Sequence, residues 1–282
     1  MTGSSVLAHG RRHNAKFGRD TEAMHRRFPA FAAIVLLLLP GAAVAAERSF
    51  RADYTLSYMG VTLGRSSFRS VYDGKGYTLD STFGSAGLAA MVADTNGRAS
   101  VRGRIGRNGA EPQSFVLTYA SGRKNGAVRI AFEGGKAVQY TVSPPPRAKN
   151  AADYIALTDS MLLAVADPLS GAIVSAANPS DLCRRTIRLF DGETRADLVL
   201  SPKGTGTFRT VGFSGETVRC AAKIKPVAGY RKKRRDVATV AASTGTIDFA
   251  PVGVEALWAP VAISLSTGWG PVSVTATRFG VD

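Results

Sequence analysis

The only two cysteines of this 282-residue chain, Cys183 and Cys220, bracket a stretch that reads as three or four short β-strands. Near its end Val218, Cys220, Ala222 and Ile224 fall on one face of a strand, and Arg219, Lys223 and Lys225 on the other. The Cys220 thiol is thereby aimed at the apolar side. An even number of cysteines pairs in an oxidising compartment, and the amino-terminal residues point to one. A bridge across this loop would stabilise by about 3–4 kcal/mol in the chain-entropy treatment. The alternative is a redox-active thiol, which wants a short Cys-x-x-Cys spacing or an electropositive, exposed site. Arg184-Arg185 beside Cys183 is the one feature pointing that way.

Residues 24–45 read as a secretory signal. They run from basic His25-Arg26-Arg27 through an apolar core, Phe28 to Leu39, and a Pro40-Gly41 break to Ala43-Val44-Ala45. The apolar core is shorter than the ~20 residues of a membrane span. Residues 1–23 are polar and precede a second methionine, Met24, so they read as a dispensable upstream extension. The expected mature chain is a single β domain, 46–282. Cleavage removes six cations and two anions, so the net charge of +15 becomes +11. It also removes His9, His13 and His25, the only histidines.

Period-two alternation begins at once in the remainder. Tyr54, Leu56 and Tyr58 share a face, Met59-Gly60 turns the chain, and Val61 to Tyr72 returns. Asp73-Gly74-Lys75-Gly76 and Phe190-Asp191-Gly192-Glu193 are hairpin turns. Further strands are expected at Tyr77–Phe83, Ala99–Ile105, Ser114–Tyr119, Val128–Phe132, Ala137–Val142, Thr246–Phe249, Gly253–Ser266 and Pro271–Phe279. Pro144-Pro145-Pro146 stops one of them, since proline cannot donate to a ladder. Two stretches break the pattern. Ser85 to Val92 is small and apolar, a short helix or flap. Leu157 to Ala166 predicts a helix, with Thr158 or Asp159 as cap and Asp167-Pro168 as stop.

Without histidine, Ser-His-Asp and Cys-His catalysis and histidine-bound zinc or copper are excluded. Gly204-Thr205-Gly206 lacks the third glycine and the following helix of a nucleotide site and reads as a turn. Carboxylate-only hydrolysis would have Asp153, Asp159 and Asp167 to draw on. Each has a plainer reading, as loop charge, helix cap and residue before proline. No enzyme activity, cofactor or metal is expected.

Two features suit binding. Arg231, Lys232, Lys233, Arg234 and Arg235 form a basic run that would meet an anionic surface, or simply be a solvated loop. Leu88, Met91 and Val92, with Met161, Leu162, Leu163 and Val165, would lid a curved sheet's interior, or be plain core. An integral outer-membrane barrel is disfavoured, because the aromatics are scattered and form no girdles.

Five pieces in order carry a resemblance: RADYTLSYMGVTLGRSSF near the expected mature start, YTLDSTFGSAGLAAMV, ADPLSGAI, RLFDGETRADLVL after Cys183, and VRCAAKIKPVAGY around Cys220. Together they resemble the exported proteobacterial family catalogued as domain of unknown function 3108. The resemblance implies a periplasmic all-β fold, a single strongly curved antiparallel sheet of roughly 12–14 strands with one or two short helices. Such a half-barrel or β-spiral is akin to lipoprotein carriers and envelope-integrity proteins. It implies no catalytic residues. The expected function is non-enzymatic binding or scaffolding of a cell-envelope component, with an acyl or other apolar ligand in a concave interior. The alternative is a protein-interaction factor with a packed core and no cavity. The expected partner is an envelope lipid, a lipoprotein or another envelope protein; export argues against nucleic acid.

Overall fold

The structure, a computed structural model, describes residues 47–92, 94–146, 152–254 and 256–282. The expected extension 1–23 and signal 24–45 lie outside the described residues. An antiparallel meander opens the fold: β1 (Arg48–Tyr58), β2 (Val61–Tyr72), β3 (Gly76–Ser85), β4 (Thr95–Gly106), β5 (Gly109–Ser121), β6 (Lys124–Glu133) and β7 (Lys136–Ser143). A short helix, α1 (Leu88–Val92), interrupts it between β3 and β4. The next stretch holds only two-residue strands, β8 (Tyr154–Ile155) and β9 (Val174–Ser175), and 3-10 turns. Long pairing resumes with β10 (Arg185–Phe190), β11 (Arg195–Thr210) and β12 (Phe213–Ala228), then β13 (Tyr230–Arg231) and the helix α2 (Arg235–Ala242). β14 (Thr244–Pro251), β15 (Leu257–Thr267) and β16 (Gly270–Val281) close the chain.

The fold is all-β, as the alternation predicts, and the described residues belong to one compact unit. The expected open sheet is corrected to a closed barrel. β15, β16, β1, β2, β3, β4 and β5 are hydrogen-bonded in that order, and β9 pairs with both β5 and β15. Eight strands thus form a ring, while β6–β7 and β14–β12–β11–β10 extend from it as wings. Sequence reading could not see the closure because it rests on two residues. Val174 faces Gly109 on one side and Trp258 on the other, and Ser175 faces Leu257. Bonds from Ala110 N to Ile173 O (3.1 Å), Ser175 N to Asn108 O (3.1 Å) and Ala176 N to Ala256 O (2.8 Å) complete the seam. Gly109 has φ +138°, and any side chain there would strike the Ile173 carbonyl, so only glycine lets β9 approach.

The seam is strapped from outside. The Arg185 guanidinium donates from one nitrogen to the Asn108 carbonyl (3.1 Å) and the Ser175 carbonyl (3.0 Å), and from the other to Asp181 O (3.2 Å). The Arg184-Arg185 pair that hinted at a redox site therefore includes a structural tie. The disulfide Cys183–Cys220 is formed, with Cα atoms 5.2 Å apart, a separation ordinary for a bridge. Both sulfurs are buried beside Val174, Leu182, Leu200, Ile247 and Phe249. The bridge anchors the chain just past β9 to the middle of β12, so the clamp and the barrel seam are one piece of structure.

Three further expectations change. The clamped segment holds three strands, within the expected number, but two are sixteen residues long rather than short, and β12 runs on past Cys220. Gly204 sits in no turn but at a bulge in β11, where pairing shifts between Pro202 and Gly204 and φ is +127°. The helix expected over Leu157 to Ala166 is reduced to a 3-10 turn, Asp159–Leu162, with no side-chain cap bond from Thr158. Ala164 has a left-handed φ of +52°. Beyond it Val165 N bonds Gly135 O (3.0 Å), Ala166 N bonds Arg188 O and Phe190 N bonds Ala166 O (both 2.9 Å). Those pairings link the β6–β7 turn to the edge strand β10, and tertiary pairing overrides helix propensity there.

Candidate functional site

Inward-facing residues decide whether the barrel is hollow. In its lower part Phe50, Tyr72, Tyr77, Leu79, Val101, Phe115 and Ile130 form one buried cluster, joined by Leu162 and Val165. The upper end is different. Leu56, Ser66, Phe83, Ser85, Thr95 and Val274 share the inward face by register, yet enclose an open cleft of about 640 Å3 that also touches Ala89 of α1. One step deeper, Tyr54 and Phe68 meet edge to face with centroids 5.4 Å apart. Tyr54 donates its hydroxyl proton to Pro260 O (2.6 Å), and burial raises its pKa. By register this pair lies beneath the cleft without lining it.

The cleft stays open for a sequence-level reason. Ser66, Ser85 and Thr95 are small, and the aromatics lie sideways. Phe83 lies across Gly97 of the neighbouring strand, and Tyr119 across Gly126; Tyr77 does the same over Gly103 lower down. Each glycine gives the opposing ring room to lie along the sheet rather than into the barrel. Isolated glycines opposite aromatics were the signal available in the sequence.

The turns at this end carry exposed apolar side chains: Met59, Val61, Met91 and Trp269. Arg65, Arg123 and Lys124 are exposed beside them. Two other clefts have mixed polar and apolar linings. One, of about 610 Å3, lies on a sheet face lined by Lys203, Lys223, Lys225 and hydroxyls. The other, of about 480 Å3, follows the seam past Glu111, Arg185 and Arg188.

The residues singled out from sequence are thus separated rather than gathered. Met91 on α1 is 83 % exposed at the cleft end; the side chains of Leu88 and Val92 lie outside what is described. Met161 is partly buried in the 3-10 turn, where its carbonyl accepts from buried Arg195 (3.0 Å). Leu162 and Val165 are in the lower core and Leu163 is exposed. The basic run is partly ordered structure instead of a plain loop. Arg231 belongs to β13 and pairs with Asp153 (2.8 Å), whose carboxyl it holds below the usual range. Arg234 pairs with Asp236, and Arg235 opens α2, which packs on β12 and β15. Lys232 and Lys233 have exposed side chains. None of these five residues lines the apolar cleft.

Of the three aspartates weighed for catalysis, Asp159 is exposed beside Lys136 (3.6 Å) and Asp153 is held by Arg231. Asp167 is fully buried. Its carboxylate accepts from Leu169 N (2.9 Å), Ser170 N (3.0 Å) and the Ser170 hydroxyl, which in turn meets the Tyr77 hydroxyl (2.7 Å). Burial raises the Asp167 pKa against these bonds. The three carboxylates do not converge, and among the described residues no cluster of His, Cys, Asp or Glu fits a metal. A carboxyl with a raised folded pKa keeps its proton after the unfolded chain has lost it. Stability therefore falls as pH rises from the ordinary aspartate value, ~4, toward the folded value. Asp167→Asn keeps the acceptor and escapes that loss. It should gain on wild type as pH rises above about 4 in urea denaturation; a pH-independent difference contradicts the assignment.

The fold and cleft define a closed β-barrel, packed at one end and open and apolar at the other. The pattern of the family described as "Protein of unknown function (DUF3108)" matches residues 53–277, and the chain belongs to that family. No curated protein matches its sequence. Among solved structures, the chain is similar to a β-barrel-like protein of domain of unknown function DUF1849 from Brucella abortus. Identity is 12%, with 85% of this chain and 99% of that one covered and a TM-score of 0.47. The hypothetical protein CT021 from Chlamydia trachomatis is similar at 10% identity, covering 80% and 84%, with a TM-score of 0.28.

Proposed function

We propose that this protein is a non-enzymatic binding protein of the bacterial periplasm that holds an apolar chain, such as an acyl group, in the open end of its barrel. The supporting observation is the cleft bounded by Leu56, Phe83 and Val274, with the Tyr54–Phe68 pair one register step deeper. Its ~640 Å3 lies within the ~300–1,000 Å3 range of ligand sites, and its lining is mainly apolar. The packed lower barrel limits the ligand to a short apolar segment, so a larger partner would leave its polar part outside. That packing also favours a second reading, a protein-interaction scaffold for the cell envelope in which the cleft receives a partner's side chain.

The test is a titration with a fluorescent fatty acid, using protein purified after export. Wild type should bind, and Ser66→Trp, which fills the cleft from an inward position without removing a recorded hydrogen bond, should bind about tenfold more weakly or worse. Equal binding by both removes the cleft from the account. A wild type that binds no fatty acid, and instead retains one discrete protein on crosslinking, favours the scaffold.

A further inference from the structure

The apolar side chains around the cleft are arranged in a way that ligand binding alone does not require. The turns β1–β2, β3–β4, β5–β6 and β15–β16 all lie at the open end, because the meander is antiparallel. Met59 is 62 % exposed, Val61 48 %, Met91 83 % and Trp269 62 %. Single exposed apolar residues are ordinary on a protein surface, and Leu163, Val211 and Val281 are further examples; these four are set apart by sharing the end that holds the cleft. These are also not loose tips. Met59 N bonds Pro271 O (2.9 Å), and the Tyr58 hydroxyl donates to the Trp269 carbonyl, so two of the turns are tied together. Thr267 Oγ1 accepts from Trp269 N (3.2 Å) and donates to Gly270 O (2.7 Å), which fixes the turn that carries the tryptophan. Met59 adopts a left-handed φ of +49°, a conformation that costs a non-glycine residue energy. In that conformation its side chain stays in solvent.

We propose that the open end docks on an anionic lipid surface, with Met59, Val61, Met91 and Trp269 entering the interface and Arg65, Arg123 and Lys124 meeting the head groups. The proposal deepens the reading above, since it names the surface across which an apolar chain would enter the cleft. Three observations select lipid over a folded partner. The three cations are exposed and form no ion pair among the described residues, and Asp94 is the exposed acid beside them. Cations beside a bilayer gain from anionic head groups, and tryptophan prefers the water–hydrocarbon boundary. The apolar residues project from three turns around a mouth, β1–β2, β3–β4 and β15–β16, rather than forming one flat patch. Isolated projections need a shape-matched socket in a protein, but insert into a fluid interface without one.

The experiment floats the exported protein on vesicles of phosphatidylglycerol and phosphatidylethanolamine, and on neutral phosphatidylcholine vesicles as control. Wild type should float with the anionic vesicles only, and lose binding as salt rises from ~50 to ~300 mM. A blue shift of tryptophan emission should accompany binding and vanish in Trp269→Phe. Met59→Ser with Trp269→Ser, and separately Arg65→Glu with Arg123→Glu and Lys124→Glu, should each weaken partition about tenfold or more. All five positions are exposed, and unchanged melting temperatures would show that the variants fold. No binding by wild type, equal partition of the variants, or capture of a protein at this end without vesicle binding overturns the proposal. The cleft is tested separately. Ser66→Trp should float like wild type while failing to take up fatty acid. A wild type that takes up fatty acid but does not float sinks only the docking surface.

Discussion

Cys220→Ser should lower stability by about 3–4 kcal/mol in non-reducing buffer, and dithiothreitol should do the same to wild type. The loss is larger in consequence than in magnitude, because of what the bridge holds. It closes a loop of sequence separation 37 and sits in a buried cluster with Val174 of the sealing strand and the adjacent Ala176. β9 contributes only two residues to the ring and cannot hold it by backbone pairing alone. Its neighbours must position it: Arg185 from one side, the bridge from the other. In the variant, amide hydrogen exchange should therefore rise at Ala110, Ser175 and Ala176 before it rises in β1 to β4. Melting unchanged by the substitution, or uniform loss of protection along the chain, would separate the clamp from the seam.

Phe279→Ala should cost about 3–5 kcal/mol, the range for a large aromatic removed from a core that cannot collapse around the gap. Phe279 is fully buried and meets two rings edge-on, Phe50 at 4.8 Å and Phe213 at 5.6 Å. Its place in the fold explains why the gap cannot close. β15 pairs with β16 only as far as Thr275. Beyond that point the tip of the β11–β12 hairpin stands in, with Phe279 N bonded to Val211 O (2.8 Å) and the Thr210 hydroxyl donating to Ala276 O (3.2 Å). Gly212 and Gly280 allow that approach, since a side chain on either would meet the other strand's backbone. With these contacts fixed, truncation leaves a void rather than a rearrangement. Calorimetry on the variant measures the cost; a loss under about 1 kcal/mol would mean the hairpin tip does not pack as described.

These two sites show how unevenly the fold could be read from residues. Alternation was enough for β1 to β7 and for β16, whose inward residues are the apolar ones, and it found β14 although a bulge there buries Ile247 to Ala250 on both faces. Asp73 and Asp191 marked their turns by the same chemistry that the structure displays: each carboxylate accepts two backbone N–H groups of its own turn. Closure was not legible. Ile173-Val174 carries no periodicity, and its partners are Gly109 and Trp258, far away in sequence. The stretch Leu157 to Ala166 has a helix composition, yet Val165 and Ala166 are claimed by Gly135 and Arg188. The apolar lid residues were grouped by composition, but α1 and the 3-10 turn lie in different parts of the barrel. The cleft itself depends on small residues, among them Ser66 and Gly97, which register places on either side of Phe83. The cations beside the mouth, Arg65, Arg123 and Lys124, were invisible for the same reason. They lie on different strands and turns, whereas Arg231 to Arg235 stand out as a run.

If an apolar chain enters one end of a barrel that is solid at the other, the two ends must respond to it differently. Methyl-resolved NMR of the protein, titrated with a medium-chain fatty acid, tests that most directly. The methyl groups of Leu56, Leu63, Ala89 and Val274 should shift and saturate together, while those of Val101, Ile130 and Leu162 stay in place. No saturable shift at the first group, or shifts centred on the second, would contradict it.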